Sequence, residues 1–298
     1  ILDIGAKPVM VNVDRTLNMS MADLKRSITK KTKAIIPVHM LGVPADMNNI
    51  MKIAKKNKIK VIEDNCEAMG AKLNKKYLCA IGDIGVVSFD FSKTITCGEG
   101  GMIYTNNTKF SKFIKEYHDH GHENNPKLAR GMDSRSIYGF NYRITEMQAV
   151  VGKVQLNKMS KILKMQKQRY KELILKLKNN FDLREVPVNS EITHDTFILF
   201  VNDKKKRKEI IKILDQKKFG TKNLPDAIKW HCSAYWDHAL EIRQVKRSNK
   251  TKNLLAKAIA IPISLKRSVE EYKILGKLIL ATTKKSVILF FLKSLSIK

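Results

Sequence analysis

The sequence predicts an α/β fold: a mostly parallel central sheet with helices on both faces, followed by a smaller C-terminal α+β domain. Three observations lead there. Apolar runs of strand length at 33–38 (KAIIPV) and from 61 (VIED) flank a helical stretch at 47–56. Such strand–helix–strand alternation implies parallel pairing through right-handed crossovers. The pattern changes character at residue 181, after which short strands alternate with a basic helix. A length of 298 residues suits two domains and is ample for a buried core. The division is expected between 1–165 and 166–298.

Taken in order, residues 1–5 read as the end of a helix and 8–13 as a strand. Residues 21–28 form an amphipathic helix with Leu24 and Ile28 at i, i+4 spacing. The strand at 33–38 runs into HMLGVPADM, where Pro44 and Asp46 can start the next helix. His39, at a strand end, either faces a ligand or caps a loop. After the strand at 61 come a second apolar run, GVVSFDF, a glycine-rich turn, TITCGEGG, and the short strand MIYT. Residues 107–119 make a basic helix. His118, His120 and His122 alternate without an acidic cluster, which fits a metal poorly; no metal site is expected. Residues 123–136 are polar and irregular, a loop over the site. From Thr145 a strong helix carries Met147, Val150, Val151, Val154 and Met159 on one face. It continues to about 178, the length of a connection between domains. Strands follow at 183–186, 196–201 and 258–265, with helices at 204–218 and 268–281. Glu270 and Glu271 lie in the first turn of the last helix, as its dipole favours.

Composition narrows the function classes. Hydrophobic residues make up 43% and charged residues 29%, a globular balance. The net charge of +29 admits nucleic acid or an anionic surface as partner. No basic patch with interleaved aromatics and no nucleic-acid motif accompanies it. The Lys residues are spread along the chain with abundant Ile and Asn, all with A/T-rich codons, so genome composition suffices and no nucleic-acid partner is expected. Four Cys without a CxxC pair argue against zinc and fit a reduced, cytoplasmic compartment. No signal peptide or apolar run of spanning length is present, so no membrane role is expected. The run at 286–292 (SVILFFL) reads as a buried strand or helix end.

The chemistry concentrates in 61–106. Lys93 stands between two apolar strands, where burying an ammonium is costly unless it is paired or neutralised. That setting suits a nucleophilic amine for condensation with a carbonyl. Against it stands an ordinary loop lysine in a Lys-rich chain. Asp64 ends a strand, where α/β sheets bind ligands; a helix N-cap is the alternative. Ser88, five residues before Lys93, is either a phosphate-binding hydroxyl or merely a small strand residue. A second cluster, 221–240 (TKNLPDAIKWHCSAYWDHAL), gathers Trp230, His231, Tyr235, Trp236, Asp237 and His238. Such a cluster lines a pocket or packs a corner.

Together ED-x-x-E-A-x-G-A, GDIG-x-x-SF-x-x-x-K and T-x-GEGGM resemble the DegT/DnrJ/EryC1/StrS sugar aminotransferases, pyridoxal-phosphate enzymes of fold type I. The resemblance implies that Lys93 holds pyridoxal 5′-phosphate covalently, that Asp64 faces its ring nitrogen and that Ser88 binds its phosphate. Glu67 sits where most of the family has Gln, near the ring hydroxyl, where a carboxylate would repel a phenolate. The block N-x-R implies that Asn141 reaches a neighbouring subunit's cofactor phosphate, so a homodimer is expected. Arg143 either orients substrate or pairs with a carboxylate. The segment 221–240 resembles the subgroup that aminates an eight-carbon acidic sugar, making 8-amino-3,8-dideoxy-octulosonate; Trp230 and His231 are its candidate substrate contacts. Expected substrates are glutamate and a keto-sugar of cell-surface polysaccharide or lipopolysaccharide biosynthesis. A related sugar 3-dehydratase, whose members carry His in place of the lysine but share an ED-N-C look, and a non-catalytic cofactor- or sugar-binding homologue are the alternatives. The family's N-terminal segment, with its phosphate-binding Ser/Gly-Thr loop and ring-stacking aromatic, is not recognisable before ILDIG; the sequence reads as truncated.

Overall fold

A computed structural model describes residues 1–129 and 131–295, with side chains described up to Thr283. The opening residues form a 3-10 turn, Leu2–Ile4. The strand predicted at 8–13 is absent except for a lone bridge between Val13 and Met19. Its backbone donors go elsewhere: Asn12 N–H to the Asp23 carboxylate and Val13 N–H to the Thr251 hydroxyl. With its N–H groups committed to side chains, the segment has no ladder to join.

Helix α1 (Met21–Ser27) starts at Ser20, whose hydroxyl accepts the Asp23 N–H. Strand β1 (Ala34–Ile35), helix α2 (Met47–Asn57), capped by Asp46, and strand β2 (Lys60–Asp64) form the predicted crossover unit. A small hairpin, β3 (Lys72–Leu73) and β4 (Lys76–Tyr77), leads to β5 (Ile84–Ser88) and β6 (Gly101–Tyr104). The sheet order is β1-β2-β5-β6; the first three strands are parallel and β6 returns antiparallel to β5. Leu24, Ile35, Met47, Ile50, Ala54 and Val61 are buried between this sheet and its helices.

Helix α3 (Thr108–Tyr117) is capped by Asn107. Helix α4 (Glu146–Leu177) opens with a capping box between Thr145 and Gln148. Helix α4 divides along its length. Met147, Val150, Val151 and Val154 are exposed, whereas Leu173 and Leu177 are fully buried in the C-terminal core. In that half, β7 (Asp182–Leu183), β8 (Ser190–Glu191) and β9 (Thr196–Phe200) precede α5 (Lys204–Gln216). Short helices α6 (Ile228–His231), α7 (Ile242–Arg247) and α8 (Asn249–Leu255) lead to β10 (Ala258–Pro262) and the long α9 (Val269–Leu295). The run at 286–292 therefore continues a helix. The second sheet, β10-β9-β7, is antiparallel. All five residues of β9 are buried: Phe197 and Leu199 pack under α4, α5 and α9, and Ile198 and Phe200 pack on the other face with Leu17, Leu41, Leu224 and Leu255.

The two halves are stitched together. Strand β8 pairs with β3. Gly42, at φ +80°, lies so close to Thr193 that a Cβ there would sit 2.0 Å from the Thr193 hydroxyl, so only glycine permits the approach. One expectation is corrected: the strands flanking Lys93 are not both buried. Strand β5 is half-buried, but all four residues of β6 are exposed, since β6 is the sheet's edge.

Candidate active site

The parallel strands end at one edge, and Asp64 and Ser88 lie along it. Asp64 is the last residue of β2. Its backbone is fixed on both sides, with its N–H on Pro37 O and its carbonyl accepting the His39 N–H, each at 2.9 Å. Its carboxylate accepts the Cys66 N–H at 3.1 Å, so it caps a turn, not a helix. The preceding residue, Glu63, is fully buried and anchors the strand end. One of its oxygens meets His39 Nε2 at 3.1 Å and the Cys79 N–H at 3.0 Å; the other takes the Ile81 and Gly82 N–H groups at 2.8 and 2.6 Å. The Ala45 N–H donates to His39 Nδ1 at 3.0 Å, which leaves Nε2 as the ring's donor to Glu63. Burial alone would raise the Glu63 carboxyl; hydrogen bonds from His39, Gly82 and Ile81 outweigh it and hold the group below its ordinary value. His39 is thus a buried structural group.

Ser88 ends β5 in register with Gly101, and its hydroxyl accepts the Asp90 N–H at 3.2 Å. Beyond it the chain turns sharply: the Lys93 N–H bonds Asp90 O at 3.1 Å and the Cys97 N–H bonds Phe89 O at 3.1 Å. Gly98, at φ +91°, sits in the left-handed region this return needs. Lys93 projects from the turn, and its Nζ is 4.0 Å from Glu67 Oε1, both side chains mostly buried. Glu67 is held in turn by the Leu41 N–H at 3.3 Å and by Asn223 Nδ2 at 3.1 Å. A carboxylate here is therefore met by a cation and two donors. The Cys66 thiol lies among these charges. Burial, first, and then the Asp64 hydrogen bond and charge push it up to about 12, while Lys93 pulls the other way.

Four neighbours were not among the sequence candidates: Leu41, Arg184, Lys222 and Asn223. Arg184 is buried against backbone carbonyls of Thr16, Met40 and Leu41. Lys222 Nζ bonds Asp195 at 2.6 Å; burial would lower this ammonium, and the charge of Asp195 raises it instead. Asn223 and Lys222 open the segment 221–240. That segment does reach the site, but through its first residues. Trp230 and His231 stand exposed on α6, and among the described residues their side chains make no hydrogen bond or ring contact to Lys93, Glu67 or Asp64. Asn141 is exposed, its backbone bridged to Asp119, and its side-chain Oδ1 accepts the Arg143 N–H at 3.3 Å. The Arg143 guanidinium pairs with the Asp119 carboxylate.

The DegT/DnrJ/EryC1/StrS aminotransferase family model matches residues 1–278. The chain belongs to this family. Among curated proteins, a UDP-N-acetyl-3-dehydro-α-D-glucosamine 3-aminotransferase of Acidithiobacillus ferrooxidans is 40% identical over 153 residues, 51% of this chain and 40% of that protein. The lipopolysaccharide biosynthesis protein RfbH of Salmonella typhimurium is 30% identical over 246 residues, 74% of this chain and 56% of that one. The chain thus spans roughly half the length of the curated relatives it matches. An aminotransferase from Psychrobacter cryohalolentis superimposes with a TM-score of 0.82 at 27% identity, over 95% of this chain and 77% of that one. The fold is the fold-type-I arrangement of pyridoxal-phosphate transferases.

Proposed function

We propose that the chain is the core of a pyridoxal-phosphate-dependent sugar aminotransferase. It would move an amino group from glutamate to a nucleotide-linked keto-sugar or an 8-oxo-3-deoxy-octulosonate for cell-surface polysaccharide or lipopolysaccharide assembly in the cytoplasm. The observation that carries this reading is Lys93: a mostly buried amine, 4.0 Å from Glu67, on a turn just beyond strands that end in Asp64 and Ser88. The relatives' names, which include a sugar aminotransferase and a lipopolysaccharide biosynthesis protein, favour the substrate class.

The donor set suits the cofactor. An amine, a strand-end carboxylate and a strand-end hydroxyl are the groups an aldehyde, a protonated ring nitrogen and a phosphate require. When bound, pyridoxal phosphate supplies an electrophilic carbon and a ring that stores an electron pair. Lys93 Nζ would hold the cofactor and, as a free amine, could carry a proton at the substrate carbon. Asp64 keeps the ring nitrogen protonated. Ser88 offers its hydroxyl to the phosphate. Glu67, held by Leu41 and Asn223 and facing Lys93, would stand beside the ring oxygen and balance the charge of Lys93. Arg143, Trp230 and His231 remain candidates for substrate contact in the assembled enzyme.

The same reading includes a homodimer with Asn141 turned toward the partner's site, and a division into domains at about residue 165. The separate buried cores support the division. Support for the dimer comes from the exposed apolar stripe on α4 and the exposed rings of Phe113, Tyr138, Phe140 and Tyr142. The test is a glutamate half-reaction: purified protein with added cofactor gains visible absorption that glutamate converts to the amino form. If glutamate leaves the spectrum unchanged while a keto-sugar is dehydrated, the aminotransferase reading fails.

A further inference from the structure

We infer that Arg184 is a positioning residue for Lys93, acting through the backbone of Leu41 and the carboxylate of Glu67; the inference rests on Lys93 being the reactive amine. Arg184 sits 143 residues after Leu41 in sequence, yet its guanidinium bonds Leu41 O at 3.1 Å, Met40 O at 2.6 Å and Thr16 O at 2.7 Å. Burying a guanidinium is expensive, and here its hydrogen bonds go to carbonyl dipoles, with Asp195 and Glu67 acting only at longer range. Burial lowers Arg184 to about 10, so it remains a cation at neutral pH.

What this cation secures is a strained turn. Leu41 has φ 47° and ψ 51°, a left-handed conformation that a branched, buried side chain adopts only when its surroundings impose it. With its carbonyl held by Arg184, the peptide on the other side of Leu41 aims its N–H at Glu67 Oε2, 3.3 Å away. A carboxylate is planar, so fixing one oxygen restricts the other. That other oxygen, Oε1, is the atom 4.0 Å from Lys93 Nζ and 3.1 Å from Asn223 Nδ2. Arg184 is itself tied to the C-terminal sheet by its N–H on Ile198 O at 3.2 Å. The C-terminal sheet therefore sets the orientation of an acid that faces the reactive amine of the other half.

The experiment is a double-mutant cycle read at Lys93 in the cofactor-free protein. Acetylation of Lys93 by acetic anhydride at neutral pH is followed by peptide mass spectrometry in wild type, Arg184→Met, Glu67→Gln and the double variant. Residues coupled through shared partners show interaction effects of about two- to a hundred-fold. Arg184→Met should change the Lys93 rate by a factor in that range when Glu67 is present, and by less than about two-fold in the Glu67→Gln background. Equal factors in both backgrounds, or no change in either, overturn the proposal. If Arg184→Met does not fold, Arg184→Lys runs the same cycle, since an ammonium cannot reproduce the guanidinium's three-carbonyl fork. The labelling needs no cofactor, so its outcome is independent of the glutamate half-reaction that tests the aminotransferase reading.

Discussion

Glu67 Oε1 and Lys93 Nζ face each other at 4.0 Å, although one belongs to the turn after β2 and the other to the turn after β5. Parallel strands bring successive turns to the same edge of a sheet, and this pair is the chemical consequence. In the proposed site it would also let a carboxylate stand near a ring oxygen that otherwise repels it, since a cation and two hydrogen-bond donors already meet it. Lys93→Ala should therefore remove both the visible absorption of the loaded protein and the glutamate half-reaction, the latter by at least about 100-fold, the smaller end of a positioned proton carrier's contribution. Stopped-flow absorbance measures it; a variant that still converts the cofactor at a comparable rate would show that Lys93 is misassigned.

Substitutions at Glu67 should separate acceptor from charge. Glu67→Ala leaves the Leu41 N–H and Asn223 amide without their acceptor, at about 1–3 kcal/mol for each donor that water cannot reach. Glu67→Gln keeps one oxygen and should cost less. Urea unfolding of the two variants gives the comparison. Equal losses would mean that the bond the glutamine oxygen keeps contributes nothing to the fold.

The Glu63–His39 pair makes a pH prediction. The folded Glu63 carboxyl lies below its ordinary 4.5, because its hydrogen bonds outweigh its burial. A depressed carboxyl contributes stability that is complete above the unfolded value and drains as pH falls through the folded one. Wild-type stability should thus fall between about pH 5 and lower pH more steeply than that of Glu63→Gln. At neutral pH the variant should be less stable by about 1–3 kcal/mol for each buried N–H that its amide cannot accept. Urea midpoints across the pH range test both parts; parallel curves would remove Glu63 from the acid response.

Much of this was legible in the sequence where the signal is local. Asp46 and Thr145 were readable as helix starts because a side chain one turn away decides them. The crossover unit of β1, α2 and β2 was readable because apolar period and length agree. A failed strand and an overlooked residue have one source. The strand expected at 8–13 fails because its donors meet Asp23 and Thr251, the latter 238 residues away. Trp230 and His231 stand out in 221–240 by their chemistry, whereas Asn223, a residue without a pattern of its own, is the one that bonds Glu67. Arg184 left no trace in any motif: a lone arginine after a short strand looks like surface until the fold buries it. No local pattern reports a partner that is distant in sequence.

The Cys66 thiol offers a probe beside the candidate site, next to Asp64. It is partly exposed, yet burial and the neighbouring Asp64 carboxylate raise it to about 12. Only the thiolate alkylates, so at about pH 8 roughly one thiol in ten thousand is reactive, against a sizeable fraction for an ordinary cysteine. Iodoacetamide should label Cys66 at least about 100-fold more slowly in the native protein than in urea. Lys93→Ala should slow it further, because a nearby cation that favours the thiolate is gone. Faster labelling in that variant would place Lys93 away from the Asp64–Cys66 turn.

The last prediction concerns the stripe on α4. Met147, Val150, Val151 and Val154 recur at i, i+3, i+4 and i+7, the spacing of a helix face built to be covered, and Met147 is 80% exposed. The rings of Tyr138 and Tyr142, 79% and 65% exposed, and the apolar edge strand β6 extend the surface. A monomer rarely shows so much apolar area without a partner, and an isologous pairing of two copies is the arrangement proposed for it. Sedimentation velocity at micromolar concentration should find wild type as a dimer. Met147→Lys with Val150→Lys, which introduces four like charges across a two-fold contact, should shift it to monomer with its circular dichroism intact. A wild type that sediments as a monomer would sink the pairing, and so would a double variant that remains a dimer.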